Sequence, residues 1–220
     1  MTEFISGAVS GIFQTTIGYP FDTYKVLLQN NQLKLKDIPK INPFLGIKYP
    51  LQSSIINCSM TFGINNTLKE NTTLDSSITG FISGVAIAPT IFYYDYFKIN
   101  TQLRFSLNPT FKTIFSRRGF LSTLLRESLA FSIYFKSYEY FHNDYKFNSY
   151  ISGGIAGLLN WTATYPIDVV KTRQLINNTK MIESFMKGNL WKGYTPCALR
   201  AIIVNSTGFY VYEKCNEILN

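Results

Sequence analysis

Three Asp-x-x-Lys pairs, Asp22 with Lys25, Asp95 with Lys98 and Asp168 with Lys171, follow one another at a spacing of 73 residues. Opposite charges three apart share one face of a helix, so each Asp can pair with its own Lys. If the three helices meet around an axis, each Asp can instead reach the Lys of another copy and close a ring of three ion pairs. Partly hydrated pairs are worth only about 0.2–1 kcal/mol each. Such a ring would hold a mouth shut weakly enough for a bound molecule to tip it. Three other charges attract notice: Arg126 beside Glu127, and Arg200. Catalysis is not indicated, because the one histidine, His142, cannot build a triad and no phosphate-cradling glycine loop is present. Cys58, Cys197 and Cys215 have no metal-like spacing and are odd in number, which reads as free thiols. No metal or cofactor is expected.

The elements that carry these charges repeat with them. Ile5-Ser6-Gly7 with Gly11, Ile78-Thr79-Gly80 with Gly84, and Ile151-Ser152-Gly153 with Gly157 recur at the same 73-residue offset. Gly46, Gly119 and Gly193 follow at 73 and 74, each opening a long helical stretch. Each unit reads as a helix, a kink, a short polar segment and a second helix. The predicted helices cover 4–30, 47–70, 76–104, 120–142, 149–175 and 194–217.

The stretches Phe4 to Phe21, Tyr49 to Leu68, Ser76 to Tyr94 and Phe147 to Ile167 contain no charged residue, and roughly 20 residues cross a bilayer. Ser, Thr, Asn and Gln scattered through them suit helices with one wet side. The expectation is an all-α membrane protein with six transmembrane helices in three pseudo-symmetric hairpins around a central cavity. It would form one domain, 1–220, of repeats 1–73, 74–146 and 147–220. The Gly-x-x-x-Gly pairs either let helices approach closely or are simply small residues in a helix. Pro20 and Pro166 should bend their helices; the second repeat has Tyr93 at that place and Pro89 four residues earlier. The first apolar stretch lacks a basic leader and belongs to the repeat, so it does not read as a signal peptide. A net charge of +8, spread singly with Arg117-Arg118 as its longest run, ranks nucleic acid below an anionic membrane surface or an anionic solute.

Each odd helix ends in Pro-Phe-Asp22-Thr-Tyr-Lys25, Tyr-Tyr-Asp95-Tyr-Phe-Lys98 or Pro-Ile-Asp168-Val-Val-Lys171. Trp191-Lys192-Gly193, Arg117-Arg118-Gly119 and Phe44-Leu45-Gly46 open the even helices. In both features the sequence resembles the mitochondrial carrier family over essentially its whole length. The resemblance implies a matrix gate pairing Asp22 with Lys98, Asp95 with Lys171 and Asp168 with Lys25. It also implies glutamine braces at Gln29 and Gln102, the third position being Leu175. A cytoplasmic gate would lie at the ends of the even helices, where Asn66, Glu139 and Glu213 stand at the acidic positions and Lys69, His142 and Asn216 at the basic ones. Only Glu213 with Lys69 makes a full pair there, with Glu139 beside a protonatable His142 and with Tyr138 and Tyr212 as braces. About 20 residues separate Lys25 from Gly46, short enough to imply truncated matrix segments. The implied setting is the mitochondrial inner membrane, multi-pass, in a host mitochondrion if the gene belongs to a parasite or virus. The implied partners are a small-molecule solute and the lipid bilayer, cardiolipin included. Nucleic acid is not among them, and a monomer is expected.

Seven residues after the glycine of each even helix stand Ser53, Arg126 and Arg200, expected at one depth near the midplane. An Arg at that depth costs at least about 2.5–3.5 kcal/mol and should face a cavity. Glu127 either neutralises Arg126 structurally or joins Arg126 and Arg200 in gripping a solute of both charges. By resemblance an Arg-acid pair here suits an amino acid or related zwitterion carried by alternating-access exchange. A nucleotide or deoxynucleotide is the alternative, with Lys48 and the tyrosines as phosphate and base contacts. A non-transporting carrier-like protein is a further alternative, and a channel-like leak is conceivable from the weak cytoplasmic gate.

Overall fold

The computed structural model describes residues 2–29, 42–71, 74–103, 114 and 118–219. Six long helices, α1 (Thr2–Gln29), α2 (Lys48–Asn71), α3 (Ser76–Gln102), α4 (Phe120–Glu139), α5 (Ser149–Asn177) and α7 (Tyr194–Leu219), follow the predicted spans closely. A short helix, α6 (Met181–Met186), bridges α5 and α7. The last turn of α4 widens into π geometry over Tyr140–Asp144. Helix starts recur with the repeat. The Asp75 carboxylate accepts from Ser77 N–H at 3.0 Å, and Asn148, 73 residues on, accepts from Ile151 N–H at 2.9 Å. Pro20, Pro89 and Pro166 all lie inside helices.

The entry to each even helix repeats too. Gly46, Gly119 and Gly193 have φ of 88°, 119° and 83°, a region costly for any residue with a Cβ. The Tyr19 hydroxyl donates to the Leu45 carbonyl at 2.8 Å and the Tyr165 hydroxyl to the Lys192 carbonyl at 2.9 Å. A Cβ at Gly46 or Gly193 would lie 3.0 or 3.1 Å from those same hydroxyls. Phe92 stands at the equivalent position of the second repeat and meets Phe120 edge-on at 5.5 Å. Each odd helix is thus tied to the start of its own even helix by one buried ring.

Packing follows chain order and closes on itself: α1 against α2, then α3, α4, α5 and α7, with α7 back against α1. The odd helices also touch one another pairwise, which places them innermost. Between α3 and α4 the approach depends on glycine, since a Cβ at Gly80 or Gly84 would come within 2.5 Å of the Phe131 or Glu127 carbonyl. Elsewhere the same motif does less: a Cβ at Gly11 would meet nothing within 4 Å. The two readings of the Gly-x-x-x-Gly pairs therefore divide between repeats.

Polar and apolar residues are distributed inside out. Thr79, Ser83, Thr123 and Ser152 are fully buried, while Phe13, Phe81, Leu121 and Leu159 face outward and exposed. Water would penalise that surface; hydrocarbon would not. One described helix, Ser76–Gln102, is long and apolar enough by length and composition alone to cross a membrane. Each of the other long helices carries more charged residues, which lowers its mean hydropathy.

Candidate functional site

The three Asp-x-x-Lys pairs meet at the centre of the bundle, and they pair between helices rather than within them. Lys98 Nζ lies 2.9 Å from Asp22, Lys171 Nζ 2.5 Å from Asp95, and Lys25 Nζ 2.6 Å from Asp168. Convergence of α1, α3 and α5 makes this arrangement possible. A single helix would offer each Asp only its own Lys; three helices around an axis bring a foreign Lys closer. The pairs are well shielded, with Lys25 and Asp168 each about nine-tenths buried. Tyr19 and Tyr165, the rings that tie each hairpin, also face ring lysines: Lys98 lies 5.4 Å from one ring centroid and Lys25 5.3 Å from the other.

The two glutamines differ. Gln29 Nε2 reaches Asp168 at 3.5 Å and the Tyr165 hydroxyl at 3.3 Å, beneath the Lys25–Asp168 pair. Gln102 hydrogen-bonds the Tyr19 hydroxyl as Gln29 does that of Tyr165, but its Nε2 also donates to the Thr23 hydroxyl at 3.0 Å and not to Asp22. Thr23 follows Asp22 directly and shares the amide with Tyr19. Leu175, at the third position, is packed in an apolar cluster with Phe92, Ile99 and Ile114.

Above the ring lies a cavity of about 260 Å³, whose lining includes all six ring charges with Ser53, Arg126, Glu127 and Arg200. On the odd helices the described lining reaches back toward the amino ends as far as Thr15 and Trp161, but goes no more than one residue past the ring lysines, to Val26, Ile99 and Thr172. The ring is therefore the cavity floor. The even-helix charges, expected at one depth near the midplane, reach down to the ring. Arg200 Nε lies 2.8 Å from Asp22, Glu127 Oε1 lies 3.3 Å from Lys171, and Arg126 Nε lies 3.9 Å from Asp168. Arg126 and Glu127 also pair with each other at 2.7 Å. Long side chains explain the difference, since an arginine spans more than a helical turn in depth. Ser53 remains at the wall, where it accepts from Asn57 Nδ2 at 2.8 Å. Lys48 is not among the lining residues; its ammonium sits 5.0 Å from the ring of Tyr49.

At the opposite end of the even helices, Glu139 is approached by Lys136 of its own helix at 3.8 Å. Tyr138 stacks on His142 at 5.3 Å, and His142 Nδ1 lies 3.1 Å from the Phe147 carbonyl. The side chains of Lys69, Tyr212 and Glu213 lie outside the described residues. An exposed ion pair absent from the sequence reading joins Lys136 to Asp75 at 2.7 Å and holds the Asp75 carboxyl below its usual range.

Two site residues escaped the sequence. Trp161 places its ring 4.6 Å from Lys25 Nζ and 4.4 Å from the Arg126 guanidinium, so that one indole serves a floor charge and a wall charge. Gly18 makes room for Arg200, for a Cβ there would lie 3.0 Å from its Nε and 2.8 Å from Val204. Neither belongs to a repeated pattern. Charge-bearing, threefold-repeated positions stand out in a sequence; a lone indole or glycine inside an apolar helix does not.

A closed ring of six long helices around a cavity floored by inter-helix ion pairs defines a carrier-type bundle rather than an enzyme. The mitochondrial carrier protein family model matches residues 1–44 and 143–220, more than half of the chain. The chain belongs to the mitochondrial carrier family, whose members are transport proteins of membranes. The unmatched middle holds the repeat in which Tyr93 stands in place of proline. Among curated relatives, mitochondrial substrate carrier family protein S of Dictyostelium discoideum is 26% identical over 281 aligned residues, covering 100% of this chain and 98% of that one. The mitochondrial arginine transporter of Arabidopsis thaliana is 25% identical, covering 96% and 89%. The human mitochondrial basic amino acids transporter is 27% identical, covering 78% and 70%.

Proposed function

We propose that this protein is a six-span carrier of the mitochondrial inner membrane that exchanges a small amino acid or related zwitterion by alternating access, as one domain of three repeats. The observation that carries this reading is the contact of Arg126, Glu127 and Arg200 with the ring. A solute carboxylate that draws Arg200 loosens its hold on Asp22. A solute ammonium that draws Glu127 loosens its hold on Lys171. Binding then exchanges the wall's hold on Asp22 and Lys171 for contacts to the solute, so the energy of recognition releases the floor from the even helices at two of its three pairs. Asp22, Lys25, Asp95, Lys98, Asp168 and Lys171 serve as the matrix gate, braced by Gln29. Lys69, Glu139 and Glu213, with Tyr138 and Tyr212, serve the other side.

The relatives named as arginine and basic amino acid transporters support the amino-acid class. So does size, since about 260 Å³ is below the roughly 300–1,000 Å³ of pockets for drug-sized ligands. A nucleotide fits less well, because Lys48 points elsewhere. Reconstitution into liposomes tests the reading: uptake of a labelled amino acid should require an amino acid inside. Uptake into empty liposomes at the same rate would mark a leak, and exchange of nucleotides alone would overturn the substrate class.

A further inference from the structure

The charges of the cavity do not balance, and the surplus has a location. Asp168 is matched by Lys25, and Asp95 and Glu127 together are matched by Lys171 and Arg126. Asp22, by contrast, is shared by two cations, Lys98 at 2.9 Å and Arg200 at 2.8 Å. Every carboxylate thus already has its cation, and Arg200 is the positive charge left over. The wall contributed by α2 offers no compensation. Its described lining residues are Pro50, Ser53, Ser54 and Asn57, all uncharged. Ser54 donates to the Leu51 carbonyl at 2.9 Å, and Asn57 Nδ2 to Ser53 at 2.8 Å. The buried Asn57 Oδ1 has no hydrogen-bond partner.

From this we infer that the solute carries no net positive charge: the site takes neutral polar or acidic amino acids and rejects the dibasic ones, with Ser53 and Asn57 setting the preference. The inference rests on the amino-acid reading above and narrows it. An α-carboxylate satisfies Arg200. An α-ammonium can share Glu127, whose side chain is 2% exposed and already holds two cations. A second cationic group finds no carboxylate other than Glu127 outside the ring among the described lining residues, and it adds to an excess that is already positive, which is costly in a shielded site. A hydroxyl or amide side chain meets a free acceptor at Asn57 and a hydroxyl donor at Ser53. Two relatives bear names specifying arginine or basic amino acids; on this reasoning their preference does not extend to this chain.

The test uses the full-length protein in liposomes loaded with unlabelled amino-acid mixture, with labelled glutamine, serine, aspartate, arginine, lysine and ATP offered in turn outside. Glutamine, serine or aspartate should exchange at least tenfold faster than arginine or lysine. The Ser53→Glu variant adds a carboxylate on α2 and should shift the arginine-to-glutamine ratio toward arginine by about tenfold. Asn57→Leu should lower glutamine uptake relative to aspartate. Thermal unfolding of each variant shows whether it is folded, and ratios within one variant do not depend on how much protein is active. Arginine or lysine exchanging as fast as glutamine, or a ratio unmoved in Ser53→Glu, overturns the inference and leaves the amino-acid reading standing. Exchange of ATP with no amino acid transported overturns that reading itself, and the inference with it.

Discussion

Reversing Asp168 to Lys places two ammonium groups where Lys25 and Asp168 now meet at 2.6 Å. Exposed pairs contribute about 0.2–1 kcal/mol, and removing one partner of a fully buried pair costs about 3–5 kcal/mol. This pair lies between those limits, nine-tenths buried but on the floor of a cavity. About 2 kcal/mol is therefore expected, a factor of about 30 in the population of the floor-closed state. Exchange in liposomes should fall accordingly. Unfolding can be followed with a thiol-reactive dye on Cys197, which is 2% exposed when folded, and the midpoint should drop by about 4–8 °C for a chain of this size. Adding Lys25→Asp should restore part of both losses. Recovery stays partial because a lysine at 168 faces Arg126, whose Nε lies 3.9 Å from the present carboxylate, and because an aspartate at 25 loses the Trp161 face. If the two losses simply add to within about 0.5 kcal/mol, the residues do not interact and the ring is not what closes the floor.

Gly84→Ala should destabilise by about 1–3 kcal/mol, since its Cβ would lie 2.5 Å from the Glu127 carbonyl, whereas Gly154→Ala, with nothing within 4 Å, should not; equal unfolding midpoints would contradict the close α3–α4 approach. Gly18→Ala should displace Arg200 and slow exchange more than it lowers the midpoint, and the reverse order would mean that Gly18 serves packing alone. Asp75→Asn tests the exposed pair with Lys136. A carboxyl held low in the folded state stabilises fully above its unfolded value and loses that contribution as pH falls toward the folded one. The wild-type advantage over Asp75→Asn should therefore be constant from pH 8 to about 5 and shrink below about 4. A constant difference down to pH 3 would show that Lys136 does not act on Asp75.

The sequence by itself determined the threefold repeat, the six long helices and the identity of the ring charges, because each depends on spacing along the chain. A helix start needs only a local cap and a run of suitable residues, and in the structure Asp75 and Asn148 supply such caps to α3 and α5. The same holds for Gly46, Gly119 and Gly193, whose backbone conformation few other residues adopt. What spacing left open, the tertiary structure decided. Asp22 could have paired with Lys25 three residues on; only the convergence of α1 and α3 gives it Lys98. Gln102 stood at a brace position, and the fold divides its amide between Thr23 and Tyr19 of α1. Arg126, Glu127 and Arg200 were legible as cavity charges, but the reach of a side chain across a bundle is not written in residue order. Their contact with the floor, and the Trp161 face between Lys25 and Arg126, exist because helices distant in the chain are packed side by side. Local chemistry is fixed by neighbours in sequence, whereas the partner of a long charged side chain is fixed by whichever helix the fold sets across from it.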